Sequence, residues 1–236
     1  YKVAGTTGRS LQTEAISIRL TGDMAKKYDV YYRVHAQNFG WMGWAKNGEN
    51  AGSAGYGYRL EGIQIKLVKK GSAAPGSTTN AYSEAKISYS THVQNIGWQN
   101  AVVDGATAGT TGQSKRLEAI KINLQNQDYS GGIQYRTHIQ NIGWENSWKS
   151  NGTVSGTSGR SLRLEAIQIK LTGEMANKYD IYYRVHAQNF GWMGWAKNGE
   201  SAGTAGYSYR LEGIQIKLVK KGAAAPGSTT NTYKEK

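Results

Sequence analysis

Apolar and polar residues alternate along this chain in short runs, of which ISYSTHV from Ile87 and RLEAIKINL from Arg116 are representative. In the first run Ile87, Tyr89, Thr91 and Val93 share one face, against Ser88, Ser90, His92 and Gln94 on the other. In the second, Ile120, Ile122 and Leu124 stand opposite Ala119, Lys121 and Asn123. A period of two is that of a strand with one buried face. The runs are separated by glycine-rich punctuation such as Asn47-Gly48 and Asp104-Gly105, and the chain holds 31 glycines but only two prolines. The pattern predicts an all-β fold of short strands and tight turns. No stretch approaches the roughly 20 apolar residues of a membrane-crossing helix, so no span is expected in this chain.

The runs repeat in a fixed order. HVQNIGW begins at His92, HIQNIGW at His138 and HAQNFGW at His35 and His186, and these four copies hold every histidine. A glutamate follows each histidine by 26 or 27 residues: Glu61, Glu118, Glu165 and Glu212. Four whole units are therefore present, preceded by the tail of a fifth. A longer period overlies the short one, because Val3 to Thr79 matches Val154 to Thr230 with 13 differences in 77 positions. Three units make one large one. A unit of about 45 residues cannot bury its own apolar rows, whereas three closed around a pseudo-threefold axis can. That closure favours a β-trefoil, with first and fourth strands as barrel and the stretch between Trp98 and Gly112 as cap hairpin; a β-prism is the alternative. The segment GSAAPGSTTN after Lys70 recurs as GAAAPGSTTN after Lys221 and reads as a linker. The expected domains are 1–70, the last one and a half repeats of a first domain; 71–81, a linker; 82–221, a complete three-repeat domain; and 222–236, a linker or tail.

The order Y-x-x-H-x-Q-N-[IF]-G-W, then D/N-G, A-G-T-x-G and R-L-E-[AG]-I-x-I-x-L resembles the clostridial hydrophobic repeat with its recurring tryptophan, the ChW repeat. The resemblance covers nearly all of the chain outside the linkers. It implies a secreted or surface protein of a Firmicute, used in binding or adhesion, with no activity attributed to the repeat.

Charge and composition sharpen this picture in two ways. The net charge of +13 points to an anionic partner, or to lysines that solubilise outer strand faces. Lysines 66, 121, 170 and 217 recur singly on those faces with no concentrated groove, which argues against nucleic acid. The absence of cysteine removes disulfides and thiolate metal sites. Tyr1 opens inside a repeat, so the chain reads as a fragment whose targeting signals lie outside it.

Candidate chemistry is repeated rather than singular. His35, His92, His138 and His186 occupy equivalent places, whereas a catalytic site breaks symmetry. They read as scaffold, hydrogen-bonded to backbone near a strand end. The glutamates share a face with the following isoleucines and require a partner, an arginine two residues earlier, the histidine or backbone N–H groups, and they are expected to tie neighbouring units together. Trp41, Trp98, Trp144 and Trp192 occur in every unit and read as core anchors. The second tryptophan, Trp44, Trp148 or Trp195, is replaced by Ala101 in one unit and is therefore free to serve a ligand. With Phe39, Met42, Phe190 and Met193 in FGWMGW, and Tyr56, Tyr58, Tyr207 and Tyr209 nearby, it composes a candidate binding patch.

The expected function is a non-catalytic surface module, without cofactor or metal, that grips a host protein, an immunoglobulin or a mucin-type glycoprotein for example, through these loop aromatics. The alternative is a lectin-like module for a glycan or cell-wall polysaccharide, with avidity from repetition.

Overall fold

A computed structural model describes residues 11–236, and these form two compact units that meet in sequence between Ala85 and Lys86. The described residues are almost entirely strands and turns, as the alternation predicts.

The second unit holds three repeats, each built on one long antiparallel hairpin. Ile87–Val93 pairs with Leu117–Leu124, Gly132–Ile139 with Leu164–Thr172, and Tyr179–Ala187 with Leu211–Lys220. A shorter strand then crosses to a neighbour. Ser155–Gly156 of the second repeat pairs with Leu117–Leu124 of the first, and Ala202–Ala205 of the third with Leu164–Thr172 of the second. Ala108–Gly109 of the first repeat pairs with Leu211–Lys220 of the third, Ala108 opposite Ile214. Every repeat thus lends one strand to another, and the last loan closes the ring.

Glycine permits the loan. Gly109 and Gly156 have φ of +96° and +100°, and a Cβ there would stand 2.4 and 2.5 Å from the carbonyl oxygens of Glu212 and Glu118. Only a residue without a side chain fits both the left-handed backbone and the close approach.

Tyrosine seals each seam. The Tyr135 hydroxyl accepts a hydrogen bond from the Ile122 amide at 3.1 Å, and Tyr89 accepts one from Ile216 at 3.0 Å; Tyr183 takes the amide of Ile169. Each phenol also donates to a carbonyl of its own repeat, at Thr153, Ala106 and Glu200 respectively. Burial pushes the Tyr135 phenol up to about 12, so it stays a neutral donor. Inside the seams, apolar rows from all three repeats merge into one core that includes Ile87, Ile120, Ile133, Ile167, Ile181 and Ile214.

Three details of the structure differ from or add to the outline read from sequence. The stretch between Trp98 and Gly112 forms no cap hairpin of its own: Val102–Val103 pairs back onto Ile87–Val93, and Ala108–Gly109 goes to the third repeat. The six long strands make three separate sheets rather than one continuous ladder. Two six-residue helices, Gly22–Lys27 and Gly173–Lys178, interrupt the strands; they are too short to give a helical period, and Met175 enters the core from the second.

The segments read as linkers are docked instead. The amides of Trp44 and Trp195 donate to the carbonyls of Ser77 and Ser228 at 2.9 and 2.8 Å. Tyr82–Glu84 and Tyr233–Glu235 then add parallel strands to Ala51–Ala54 and Ala202–Ala205. A sequence of small residues with one proline lies flat against a sheet end as readily as it spans solvent. The first unit therefore extends past 71–81 to Ala85, and the 222–236 segment completes the second.

The first unit repeats the third hairpin, Tyr28–Ala36 with Leu60–Lys69, around a smaller core of Val30, Tyr32, Val34, Met42 and Ala45. Here the outer row is open: Ile63, Ile65 and Leu67 are 45, 56 and 49% exposed. Their counterparts Ile214 and Ile216 are 1 and 0% exposed.

Candidate binding surface

Each H-x-Q-N-[IF]-G-W motif is a turn that carries one chain direction into the next. The asparagines Asn38, Asn95, Asn141 and Asn189 take φ between +61° and +66°, and the following apolar residue donates its amide back to the residue after the histidine. Asparagine tolerates that left-handed conformation better than most residues. Its consequence is that the residue between asparagine and glycine is thrust outward. Phe39, Ile96, Ile142 and Phe190 are 38, 47, 49 and 40% exposed.

Behind the tip stands a fixed row of arginine, glutamate and histidine. Arg116 donates from Nε and Nη2 to Glu118 Oε1 at 2.9 and 2.8 Å, and Glu118 Oε2 lies 3.0 Å from His92 Nδ1. The same chain runs Arg163, Glu165, His138 and Arg210, Glu212, His186 in the second unit, and Arg59, Glu61, His35 in the first. In the pairing, each glutamate is the residue passed over at a register shift between the long strands. A bulge re-aims its side chain. The carboxylate thus leaves the isoleucine face predicted for it and reaches partners within its own repeat. Although burial pushes the Glu165 carboxyl up, the neighbouring His138 ring and the Arg163 guanidinium bonded to it lower it below its ordinary value. Neighbouring repeats are joined by the backbone of these residues instead, since Thr110 and Thr157 donate to the carbonyls of Glu212 and Glu118.

The histidine has a carboxylate partner rather than the backbone partner expected of it. The Nδ1 to Oε2 contact falls within ion-pair distance but outside good hydrogen-bond alignment for His92, His138 and His186. Each ring also meets the first tryptophan of its repeat edge-on, with centroids 5.5 to 5.6 Å apart. The imidazole is wedged between two fixed groups. Among the described residues no cluster of three acidic or histidine side chains is placed to hold a metal ion.

The two tryptophans exchange the roles predicted for them. Trp44 and Trp195 are buried, as are Met42 and Met193. The docked segment covers them: the Cβ of an alanine at Gly43 or Gly194 would lie 2.2 or 2.0 Å from the carbonyl oxygen of Thr79 or Thr230. Trp148 is half-buried. The first tryptophans, read as core anchors, are the more open set, with Trp41 45% and Trp98 38% exposed. Between the two indoles lies an arginine. Arg33 sits 5.0 and 4.9 Å from the ring centroids of Trp41 and Trp44; Arg136 and Arg184 do the same in their repeats. Where Ala101 replaces the second indole, Ser90 replaces the arginine, and Lys121 covers Trp98 at 4.5 Å. The second tryptophan is one jaw of a cation clamp, and it is missing in the repeat that also lacks the arginine.

Some predicted residues do converge. Phe39 packs edge-on against Tyr56 and Tyr58 at 5.0 and 5.6 Å, and Phe190 against Tyr207 and Tyr209 at 5.8 Å. Beside Phe190 a cleft of about 530 Å³ opens between the turn and the docked segment, lined in part by Arg184, Trp192, Ser228, Thr230 and Lys234, with Met193 contributing to its wall. The exposed tips Ile96 and Ile142 were not singled out from sequence. The signal for them was present: an apolar residue between Asn and Gly, both tolerant of the left-handed region, sits at the apex of a turn.

A family model described as Clostridial hydrophobic W matches residues 2–22, 35–69, 92–126, 138–173 and 186–220. No curated protein and no solved structure matches the chain.

Proposed function

The chain belongs to the Clostridial hydrophobic W family, and from that premise we propose that it is a non-catalytic binding module that grips a partner protein through the apolar tips of its repeat turns. One observation carries the reading: the same turn places a large apolar side chain in solvent in all four repeats, at Phe39, Ile96, Ile142 and Phe190. Each keeps between 38 and 49% of its surface in solvent, an apolar exposure that suits an interface. Two features favour protein over glycan. Isoleucine offers no flat face for a sugar ring, and each first tryptophan already has a cation over its ring. We further read the closure as prism-like rather than trefoil, supported by three separate sheets that share strands around the ring. Export to a bacterial cell surface, where a host protein is the partner, completes the proposal and rests on the family.

The test uses the full chain immobilised against host secretions, untreated and deglycosylated. Capture should survive deglycosylation, and the double variant Phe190→Ala with Ile142→Ser should weaken it about tenfold or more at unchanged melting temperature. Capture lost on deglycosylation and untouched by those substitutions would establish the lectin-like alternative instead.

A further inference from the structure

The ring of the second unit has a polar cup at the end where its three turns converge. Its volume is about 320 Å³, and each repeat supplies the same three residue types: a glutamine from the turn, a serine and an arginine. Arg116, Arg163 and Arg210 contribute nearly equally, at 21, 20 and 22% side-chain exposure. Each guanidinium gives its Nε and one Nη2 contact to its own glutamate, which is almost wholly buried. The glutamates fix the forks from behind, and the remaining donors are left for whatever fills the cup. Three repeated Arg–Glu dipoles thus bring their positive ends to one place.

The serines add an independent sign. Ser114, Ser161 and Ser208 adopt φ of +53°, +55° and +59°, a region that disfavours residues with a side chain. In the complete repeat of the first unit the corresponding residue is Gly57, at φ +68°. Glycine satisfies that backbone without strain. Three serines held there place three hydroxyls at the cup at a conformational cost that the fold itself does not require.

We propose that this cup binds a sugar or polyol carrying a phosphate or sulfate ester, the oxyanion set among the three arginines and the hydroxyls of the ligand among the serines and glutamines. Arginine forks match tetrahedral oxyanions and form charge-assisted hydrogen bonds to them. The cup is at the small end of ligand-site volumes, far larger than one bare oxyanion needs. The chain's net charge of +13 favours approach of such a ligand. The site uses the glutamines of the turns rather than their apolar tips and does not depend on protein binding there.

The experiment is an NMR titration of the full chain, following the arginine Nε–H signals. The probes are inorganic phosphate, inorganic sulfate, glucose 6-phosphate, N-acetylglucosamine 6-sulfate and uncharged N-acetylglucosamine. Both esters should shift Arg116, Arg163 and Arg210 together and leave Arg59 unmoved, at least tenfold more tightly than the inorganic ions, with no response to the uncharged sugar. A preference between the two esters identifies phosphate or sulfate as the source. The triple variant Ser114→Gly, Ser161→Gly, Ser208→Gly should lose about tenfold in affinity while its melting temperature holds or rises, which separates ligand contact from folding. Arg163→Gln should lose more. Equal binding of inorganic ions and esters, a response shared by Arg59, or undiminished affinity in the glycine triple would overturn the proposal.

Discussion

Tyr89→Phe tests the ring directly. The substitution keeps the aromatic volume, so no cavity forms, but it strips a buried hydroxyl that accepts from the Ile216 amide and donates to the Ala106 carbonyl. The Ile216 amide is then left without a partner in a buried seam, at about 1–3 kcal/mol, while the Ala106 carbonyl, on an exposed residue, turns to solvent. Against a domain stability of roughly 5–15 kcal/mol that loss is large. Tyr135→Phe breaks the matching bonds to Ile122 and Thr153, and a closed ring predicts a similar cost for both. The two differ in kinetics. Tyr89 bridges 127 residues of chain and Tyr135 only 13. A tenfold longer loop costs about 2 kcal/mol more to close, so the Tyr89 seam forms late, and its loss should speed unfolding while barely slowing folding. Urea unfolding with stopped-flow tryptophan fluorescence measures both rates, and amide exchange at Ile216 reports the seam itself. If Tyr89→Phe leaves stability within about 0.5 kcal/mol of the parent while Tyr135→Phe costs several times that, the repeats stand in a row and the ring is wrong.

Other outcomes follow from the same structure. Gly156→Ala forces a Cβ to 2.5 Å from the Glu118 carbonyl at φ +100°, and should cost at least about 2 kcal/mol in chemical denaturation. Ser90→Arg with Ala101→Trp should rebuild the missing cation clamp; a double-mutant cycle should show about 0.5–2 kcal/mol of favourable coupling, and zero coupling would refute the clamp. Asp180 is buried, which raises its carboxyl, but its bonds to Lys221, Asn198 and the Gly222 amide hold it well below the ordinary 3.8. A depressed acid stabilises the fold above the unfolded value and loses that contribution as pH falls toward the folded one, so acid unfolding below about pH 4 should be flatter in Asp180→Asn. In amide exchange by NMR, Ile216 should be far better protected than Ile65, and equal protection would contradict the open row of the first unit.

Much of the fold was legible because strands announce themselves by alternation and repeats by spacing. ISYSTHV is the strand Ile87–Val93 with Ile87, Tyr89, Thr91 and Val93 inward, as its period requires. The arginine two residues before each glutamate is its partner, as burial of a carboxylate demanded. What alternation could not register was any break in its own phase. The bulge at Glu118 turns that side chain off the face that a strict count assigns to it. Likewise, composition alone cannot tell a docked segment from a free one, so the covers over Trp44 and Trp195 were invisible, and exposure was assigned to the wrong indole of those two pairs.

The decisive case is a ten-residue string that occurs twice. LEGIQIKLVK forms Leu60–Lys69 and Leu211–Lys220, with the same hairpin register in both. The sequence by itself determined that much, since local alternation and the bulge-flanked glutamate travel with the string. Whether Ile65 or Ile216 is buried was decided only by tertiary structure. Ile216 lies beneath a strand and a tyrosine lent by another repeat, while the Ile65 row meets no such partner among the described residues. A strand carries its apolar face wherever it goes, but the surface that removes that face from water is supplied by distant chain.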